Sequence, residues 1–313
     1  MNLINEASPH FHGKGSTQWI MGMVCLSLLP TLVASVFLYG LGAPLLVLVC
    51  VATALVTEHV CCKLMHREST AGDLSCVVTA MLFAFTLPAD CGYFPAILGT
   101  VFAVAVVKML FGGIGCNFAN PAVAGRVVYH APPMPSVAPR VPSPRHHGPS
   151  ARRHHWRHPL AMNAAGDAPY SYLEMMFGLH AGALGETCII TLLAGYVFLL
   201  VMRVVDAWAT VPFIATVAVI TGIAGQDALY QVLSGGLALG AFYMATDYTT
   251  TPMTPKGKII FGIGCGVITA LVRLFAAAPE GVAFSILFMN MFTPLIDRYT
   301  RPQPAGGVKH ALV

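Results

Sequence analysis

A short polar run in the C-terminal half of the chain carries side chains that could bind a polar ligand. It covers residues 244–255, is rich in Thr and Pro, and has an apolar run on either side. Its hydroxyls could donate to the carbonyls or ring nitrogens of a ligand, and a carboxyl between such apolar runs is costly and usually functional. The candidate binding residues are Thr246, Asp247, Thr250 and Thr251. The alternative is that these side chains only cap helix ends.

Two further pairs of candidates precede apolar runs elsewhere. Asn117 and Asn120 follow a glycine-rich turn, and Glu280 and Gly281 lie before the last apolar run. Asn120 stands directly before Pro121, so we predict that it caps a helix there. The chain has no Walker loop, no dinucleotide-binding glycine pattern and no nucleophile–base pair, so hydrolytic chemistry has no support.

The elements that must position these residues are membrane helices. The 313 residues are 56% hydrophobic and 10% charged, whereas a soluble domain carries about 25% charged residues. The net charge of +4 gives no reason to expect a nucleic-acid partner. The nine cysteines are scattered, mostly within apolar runs, and are expected to be buried thiols rather than metal ligands. The polar residues 1–16 predict that no cleavable signal peptide is present.

The apolar runs predict ten helical segments, five in each half. They cover about residues 18–39, 43–62, 73–87, 94–111, from 121 onward, 187–202, 211–223, 229–245, 259–275, and a last segment that ends at 294–297. The halves can be overlaid, with 78–88 on 240–248, 97–111 on 260–275 and 117–126 on 280–289. Because five is odd, the second half must insert upside down. We therefore expect an all-α polytopic membrane protein of about ten transmembrane or half-spanning helices in two inverted five-helix repeats, with sites at the repeat interface.

The distribution of charge predicts the orientation and the domain boundaries. With a cytoplasmic N-terminus, the basic side chains fall on the cytoplasmic side, namely Lys63, Arg67, Lys108, Arg203, Lys256, Lys258 and the tail from Arg298 to Lys309. We expect a first membrane repeat over 1–130, an external loop over 131–184, a second repeat over 185–300 and a cytoplasmic tail over 301–313. If the segment after Pro121 does not cross, the loop lies on the cytoplasmic side instead.

Residues 131–158 have a different composition from the rest of the chain. They contain seven Pro, five Arg and five His, a mixture that forms no apolar core. The His residues could bind metal and the Arg residues could bind anionic lipid or nucleic acid, but the His residues lack a regular spacing. We expect a disordered or mis-specified loop without secondary structure.

Several motifs together resemble a known family. They are Ser8–His10, Leu55–Glu58, Phe111–Ala122, Leu184–Thr187, Ala245–Pro252, Pro279–Gly281 and Pro294–Asp297. In this order they resemble the flavin-carrying membrane subunits of the RnfD and NqrB type, which belong to Rnf electron-transport complexes and to the sodium-pumping NADH:quinone reductase. The resemblance covers residues 8–130 and 159–300, and the chain length and short N-terminus favour the Rnf type.

The resemblance implies a function and cofactors. Such a complex passes electrons between reduced ferredoxin and NAD and couples this to sodium or proton transport across the bacterial inner membrane. It would place this chain in that membrane as a multi-pass partner of the other subunits. It also implies an FMN joined by a phosphodiester to a Thr of the external loop, and a second, non-covalent flavin among the helices.

The sequence departs from that family at the attachment site. The position of the acceptor Thr holds His158, which has no hydroxyl, and no Thr occurs between Thr100 and Thr187. Covalent FMN is therefore in question, and only a remnant of the attachment motif precedes Pro159. A reading-frame slip over residues 131–158 is one hypothesis; resequencing the gene would reject it by showing the same loop in an intact frame.

Two other functions fit the composition and the repeat. One is an inverted-repeat transporter or channel for a small solute or ion, and the other is a structural subunit without cofactor. A flavin spectrum of the purified protein separates the flavin-carrying subunit from both.

Overall fold

The part of the chain that is described folds into helices. The computed structural model describes residues 17–67, 70–88, 91–130, 170–180, 182–186, 188–276 and 281–301, and no strand occurs among them. The first half contains α1 (Thr17–Tyr39), α2 (Gly42–Leu64), α3 (Ser75–Phe85), α4 (Tyr93–Val101, continued as a π-helix over Phe102–Met109) and α5 (Pro121–His130). The second half contains α6 (Tyr172–Phe177), α7 (Ile189–Val201), α8 (Thr210–Ile223), α9 (Ala228–Leu233), α10 (Leu237–Leu239, continued as a π-helix over Gly240–Met244), α11 (Pro255–Phe275) and α12 (Val282–Thr300).

The helices have the apolar surface of a membrane protein. Among the described residues, α1, α2 and α11 are long and apolar enough to span a membrane, and α3, α4, α7 and α8 are shorter apolar helices. Large side chains such as Phe37 and Phe275 are exposed on their outer faces, as expected where lipid replaces water. The predicted all-α polytopic membrane fold is confirmed.

Several of the described helices are too short to cross a bilayer alone. α3, for example, has 11 residues, which gives it a length of about 16 Å, against a hydrocarbon core of about 30 Å. Short helices were expected among the predicted transmembrane or half-spanning segments, while the inverted repeat and the number of crossings stay predictions.

Local capping signals explain where several helices begin. The side-chain oxygen of Asn120 accepts from the backbone N–H of Ala122 at 3.0 Å, which confirms the predicted cap of α5. α11 begins at Pro255, earlier than the predicted residue 259, because the Thr254 hydroxyl accepts from the N–H of Gly257 at 3.0 Å. Proline suits the first turn since its missing N–H would have no partner there.

The predicted single helix over 229–245 is wrong, because the chain breaks within it. α9 ends at Leu233, and α10 begins only at Leu237. Gly235 between them has a φ of +66°, a left-handed conformation that glycine adopts without strain. In addition, the short helix α6 lies within the predicted external loop; its Ser171 and Glu174 form a capping box.

The close packing of α11 on α8 depends on glycine. A Cβ at Gly262 would lie 2.4 Å from the backbone oxygen of Ala209, and one at Gly266 would lie 2.6 Å from the Cβ of Thr216. The two glycines are four residues apart and face α8, a pattern of small residues that lets membrane helices approach closely.

Two groups of contacts lie at the two ends of α7. At one end, Lys258 Nζ pairs with Asp206 Oδ2 at 2.7 Å, and the N–H of Met253 donates to Asp297 Oδ1 at 3.0 Å. At the other end, the N–H of Gly185 donates to the carbonyl of Phe85 at 2.8 Å. Because α7 leads from the second group to the first, we call them the Asp206 end and the Gly185 end.

A tyrosine ties α6 to α9 at their N-termini. The Tyr172 hydroxyl donates to Asp227 Oδ2, while Asp227 Oδ1 accepts from the N–H groups of Leu229 and Tyr230 and so caps α9. These bonds, that of Tyr172 first, hold the pKa of Asp227 below its usual value. The described remainder of the predicted loop is thus fixed to the second half.

Candidate functional site

A cleft lies where α3, the turn before α5 and the end of α10 meet. Its cavity volume is about 80 Å³, within an open cleft of about 730 Å³ of empty space. Four of the predicted residues line it together, namely Asn117, Asn120, Thr246 and Asp247. It is also lined by the polar Ser75, Thr79, Lys108 and Thr249, and by apolar side chains that include Met21, Val78, Leu82, Ile114 and Tyr243. The cleft therefore has both polar and apolar side chains in its walls.

The end of α10 exposes backbone carbonyls that side chains must satisfy, since lipid offers no hydrogen bonds. Thr246 donates to the carbonyl of Phe242 at 2.8 Å, and Thr251 donates to that of Ala245 at 3.0 Å. The amide of Asn120 donates to the carbonyl of Met244 at 3.3 Å. Three of the predicted binding residues thus use their donors to close a broken helix, which is the capping role that the sequence left open.

Asp247 organises the loop that follows α10. Its Oδ2 accepts from the hydroxyls of Thr249 at 3.1 Å and of Thr250 at 3.0 Å. The side chain is partly exposed to the cleft, yet burial raises its pKa, against the lowering effect of those hydroxyls. Its carboxyl presents an acceptor, or a donor when protonated, at the mouth of the cleft.

Asn290 of α12, which was not among the predicted residues, also contributes to this region. With its amide turned so that the nitrogen faces carbonyls, it donates to the carbonyl of Thr250 at 3.2 Å, and its oxygen accepts from the N–H of Asn120 at 3.0 Å. Thr293 donates to the same Thr250 carbonyl at 2.8 Å. These contacts join the two halves behind the cleft, and a lone Asn within an apolar run was the signal that pointed to it.

Asn117 is the predicted residue whose side chain is free to meet a ligand. Its Oδ1 is buried and accepts no hydrogen bond within the part of the chain that the structure describes. A buried acceptor without a partner is costly, so the geometry favours a bound donor at this point of the cleft.

A buried ion pair was also missed. Lys108, in the π-helix of α4, places its Nζ 2.9 Å from Glu58 Oε2 of α2, and the two side chains are 2% and 0% exposed. The prediction that Lys108 is one of the cytoplasmic surface charges is wrong, because its side chain is buried and paired. Charges inside two predicted helices were the available signal, and π-helical turns often mark functional sites.

Of the other predicted residues that the structure describes, Thr250, Thr251 and Gly281 do not line the cleft. Gly281 packs against α11, where an added Cβ would lie 2.7 Å from the Cβ of Val272. Glu186, which belongs to the Leu184–Thr187 motif, lies at the Gly185 end, and its Oε2 accepts from the N–H of Ala183 at 3.3 Å. Glu280 and His158 lie outside the described residues. Within the described ranges, no group of three metal-binding side chains occurs.

Comparison with known proteins covers nearly the whole chain. The profile of the NQR2, RnfD, RnfE family matches residues 4–306. The chain is 39% identical to the subunit designated D of the "Na(+)-translocating ferredoxin:NAD(+) oxidoreductase complex" of Acetobacterium woodii, over 99% of this chain and 97% of that one. It is 34% identical to the subunit designated D of the "Proton-translocating ferredoxin:NAD(+) oxidoreductase complex" of Clostridium ljungdahlii, over 96% and 95%.

A third relative agrees with these two. The subunit designated D of the "Ion-translocating oxidoreductase complex" of Stutzerimonas stutzeri is 32% identical over 94% of this chain and 93% of its own. The family profile, the matched lengths and the identities all point the same way, and the predicted family is confirmed. The chain is a member of the NQR2, RnfD, RnfE family.

Proposed function

We propose that this protein is the RnfD-type membrane subunit of an ion-translocating ferredoxin:NAD oxidoreductase complex. The observation that carries the proposal is its similarity, along almost their full length, to relatives that are designated D in such complexes. It acts with the other subunits of the complex and catalyses no reaction alone. The names of the relatives specify sodium in one case and protons in another, so the coupled ion is left open.

We also propose a location in the bacterial inner membrane with the N-terminus in the cytoplasm. The Asp206 end carries the basic residues Arg203, Lys256, Lys258 and Arg298, and positive charge marks the cytoplasmic side. The buried Lys108 is not one of these residues, so its burial does not change the predicted orientation. The cleft then opens near the cytoplasmic side, since Asp247 belongs to the loop between α10 and α11.

The cleft suits the edge of a flavin ring. The unpaired Asn117 Oδ1 can accept from a ring N–H, Lys108 can donate to a ring carbonyl, and the apolar walls can pack on the ring faces. The cavity of about 80 Å³ is smaller than the range of about 300–1,000 Å³ that pockets for whole ligands have, so it would take one edge of the ring while the rest lies in the open part of the cleft. A flavin bound there would supply a carrier of electrons between partner subunits, while the residues of the chain hold and orient it.

Replacing Asp247 by alanine should lower the amount of non-covalent flavin bound to the purified full chain by about tenfold, the equivalent of one lost polar contact. The reason is that the change removes an acceptor at the mouth of the cleft and releases Thr249 and Thr250, which it holds. Flavin is measured by absorption after acid extraction. Asp206→Ala, an exposed carboxylate outside the cleft, is the control and should keep wild-type flavin.

Unchanged flavin in Asp247→Ala would count against the cleft as the flavin site. A wild-type chain without flavin would favour the alternative function, a transporter or channel for a small solute or ion. Solute uptake by liposomes that contain only this chain would then support the transporter or channel.

The denatured chain should show no flavin fluorescence in a gel, because His158 replaces the expected acceptor Thr and a phosphodiester needs a hydroxyl. The matched control is His158→Thr, which restores the hydroxyl at this position. A fluorescent band from the unmodified chain would show that another residue carries covalent FMN.

A further inference from the structure

Of the two residues in the Glu58–Lys108 ion pair, only the positively charged one lines the cleft. Lys108 lies in the cleft wall, whereas Glu58, whose Oε2 is 2.9 Å from Lys108 Nζ, does not line the cleft. A ligand in the cleft therefore meets the positive end of the pair first, and the negative end is farther away. Coulomb energy falls with distance, so the nearer charge dominates.

Further hydrogen bonds hold the side chains of Lys108 and Glu58 in place. Lys108 Nζ also donates to Ser75 Oγ at 2.8 Å, and the Thr70 hydroxyl donates to Glu58 Oε1. Within the described residues, Lys108 thus has partners for two of its three N–H groups. The third N–H has no partner among the described residues, and Lys108 belongs to the cleft wall.

We propose that Lys108 makes the cleft favour the negatively charged form of its ligand over the neutral form, and that Glu58 limits this preference. This rests on the proposed flavin site. A flavin ring gains negative charge at its N1–C2 carbonyl edge when it is reduced, and charge near this edge tunes its potential. Lys108 would therefore raise the potential of a flavin in the cleft.

Asp247 is the other charged residue that lines the cleft, and it acts in the opposite direction. Its Oδ2 is already bound by two Thr hydroxyls, which draw part of its charge away from the ligand. Lys108 keeps a free donor, and so the two residues are not equivalent. An experiment can therefore distinguish the two residues by the direction in which each one shifts the flavin potential.

The test is a redox titration of riboflavin bound to the purified full chain in detergent. Riboflavin is the probe because it carries the ring without a phosphate. Lys108→Met should weaken binding of the reduced ring relative to the oxidised ring by about tenfold, which lowers the two-electron potential by about 30 mV. Glu58→Gln should shift the potential upward by a similar amount, because it leaves the charge of Lys108 unbalanced. Lys258→Met, in the exposed pair with Asp206, is the control and should shift nothing.

A purely structural pair predicts a different pattern. Both single variants would then lose riboflavin while the potential of the bound fraction stayed constant, and this result would overturn the inference. If Lys108→Met does not fold, Lys108→Met/Glu58→Gln replaces it, since that variant leaves no unpaired buried charge; its potential should lie below that of Glu58→Gln by about 30 mV. If wild-type chain binds no riboflavin, the proposed flavin site itself is wrong, and the inference with it.

Discussion

Replacing Glu58 by alanine should lower the free energy of unfolding of the chain by about 3–5 kcal/mol, the usual cost of breaking a buried ion pair at one partner. The change leaves the ammonium group of Lys108 buried, with Ser75 as its remaining partner. Unfolding is measured by chemical denaturation of the purified chain in detergent micelles.

Two further variants show whether the unpaired charge is the cause. Glu58→Ala/Lys108→Met removes both charges and should recover at least half of the lost stability, because a neutral pair needs no solvation. Asp206→Ala breaks the exposed pair with Lys258, in which the side chains are 59% and 24% exposed, and should cost less than about 1 kcal/mol. If the double variant is as unstable as Glu58→Ala, the loss comes from packing and not from the charge of Lys108.

Replacing Gly262 by alanine should destabilise the chain by about 1–3 kcal/mol, the usual cost of overpacking. The added methyl group would lie 2.4 Å from the backbone oxygen of Ala209, so α8 and α11 must move apart. Thermal unfolding of the purified chain in detergent measures the loss.

Gly264 of the same helix provides a matched control. A methyl group there would also approach an atom at 2.4 Å, but this atom is the terminal carbon of the Met289 side chain, which can change its rotamer. Gly264→Ala should therefore cost less than about 1 kcal/mol. Equal losses from the two variants would show that the backbone contact between α8 and α11 does not limit stability.

Most helices could be predicted from the sequence because each depends on a local property. Lipid contact requires apolar side chains along a whole helix, so α1, α2, α7 and α8 appear as apolar runs with nearly the observed bounds. The start of α5 follows from Asn120 and Pro121, since a cap bonds to the backbone two or three residues away. The break between α9 and α10 escaped prediction because the chain is mostly apolar on both sides of Ser234, Gly235 and Gly236.

The candidate site could be predicted only in part. Asn117, Asn120, Thr246 and Asp247 were expected to bind a ligand, and the fold brings them to one cleft. The sequence could not show that Thr246, Thr251 and Asn120 use their donors on the carbonyls of a broken helix. That depends on which carbonyls the π-helical end of α10 leaves open, a matter of backbone geometry rather than residue type.

The sequence by itself determined that this is a membrane protein of the NQR2, RnfD, RnfE family, and that its polar interruptions fall at helix ends. Hydropathy and short motifs are properties of residues that are neighbours in the chain, so they can be recognised without knowing the fold. Only the tertiary structure decided that Lys108 is buried against Glu58, 50 positions earlier in the chain, and that Asn290 joins the halves behind the cleft. Such pairs form because helices distant in sequence pack together, and buried polar groups must then find partners among the side chains that this packing provides.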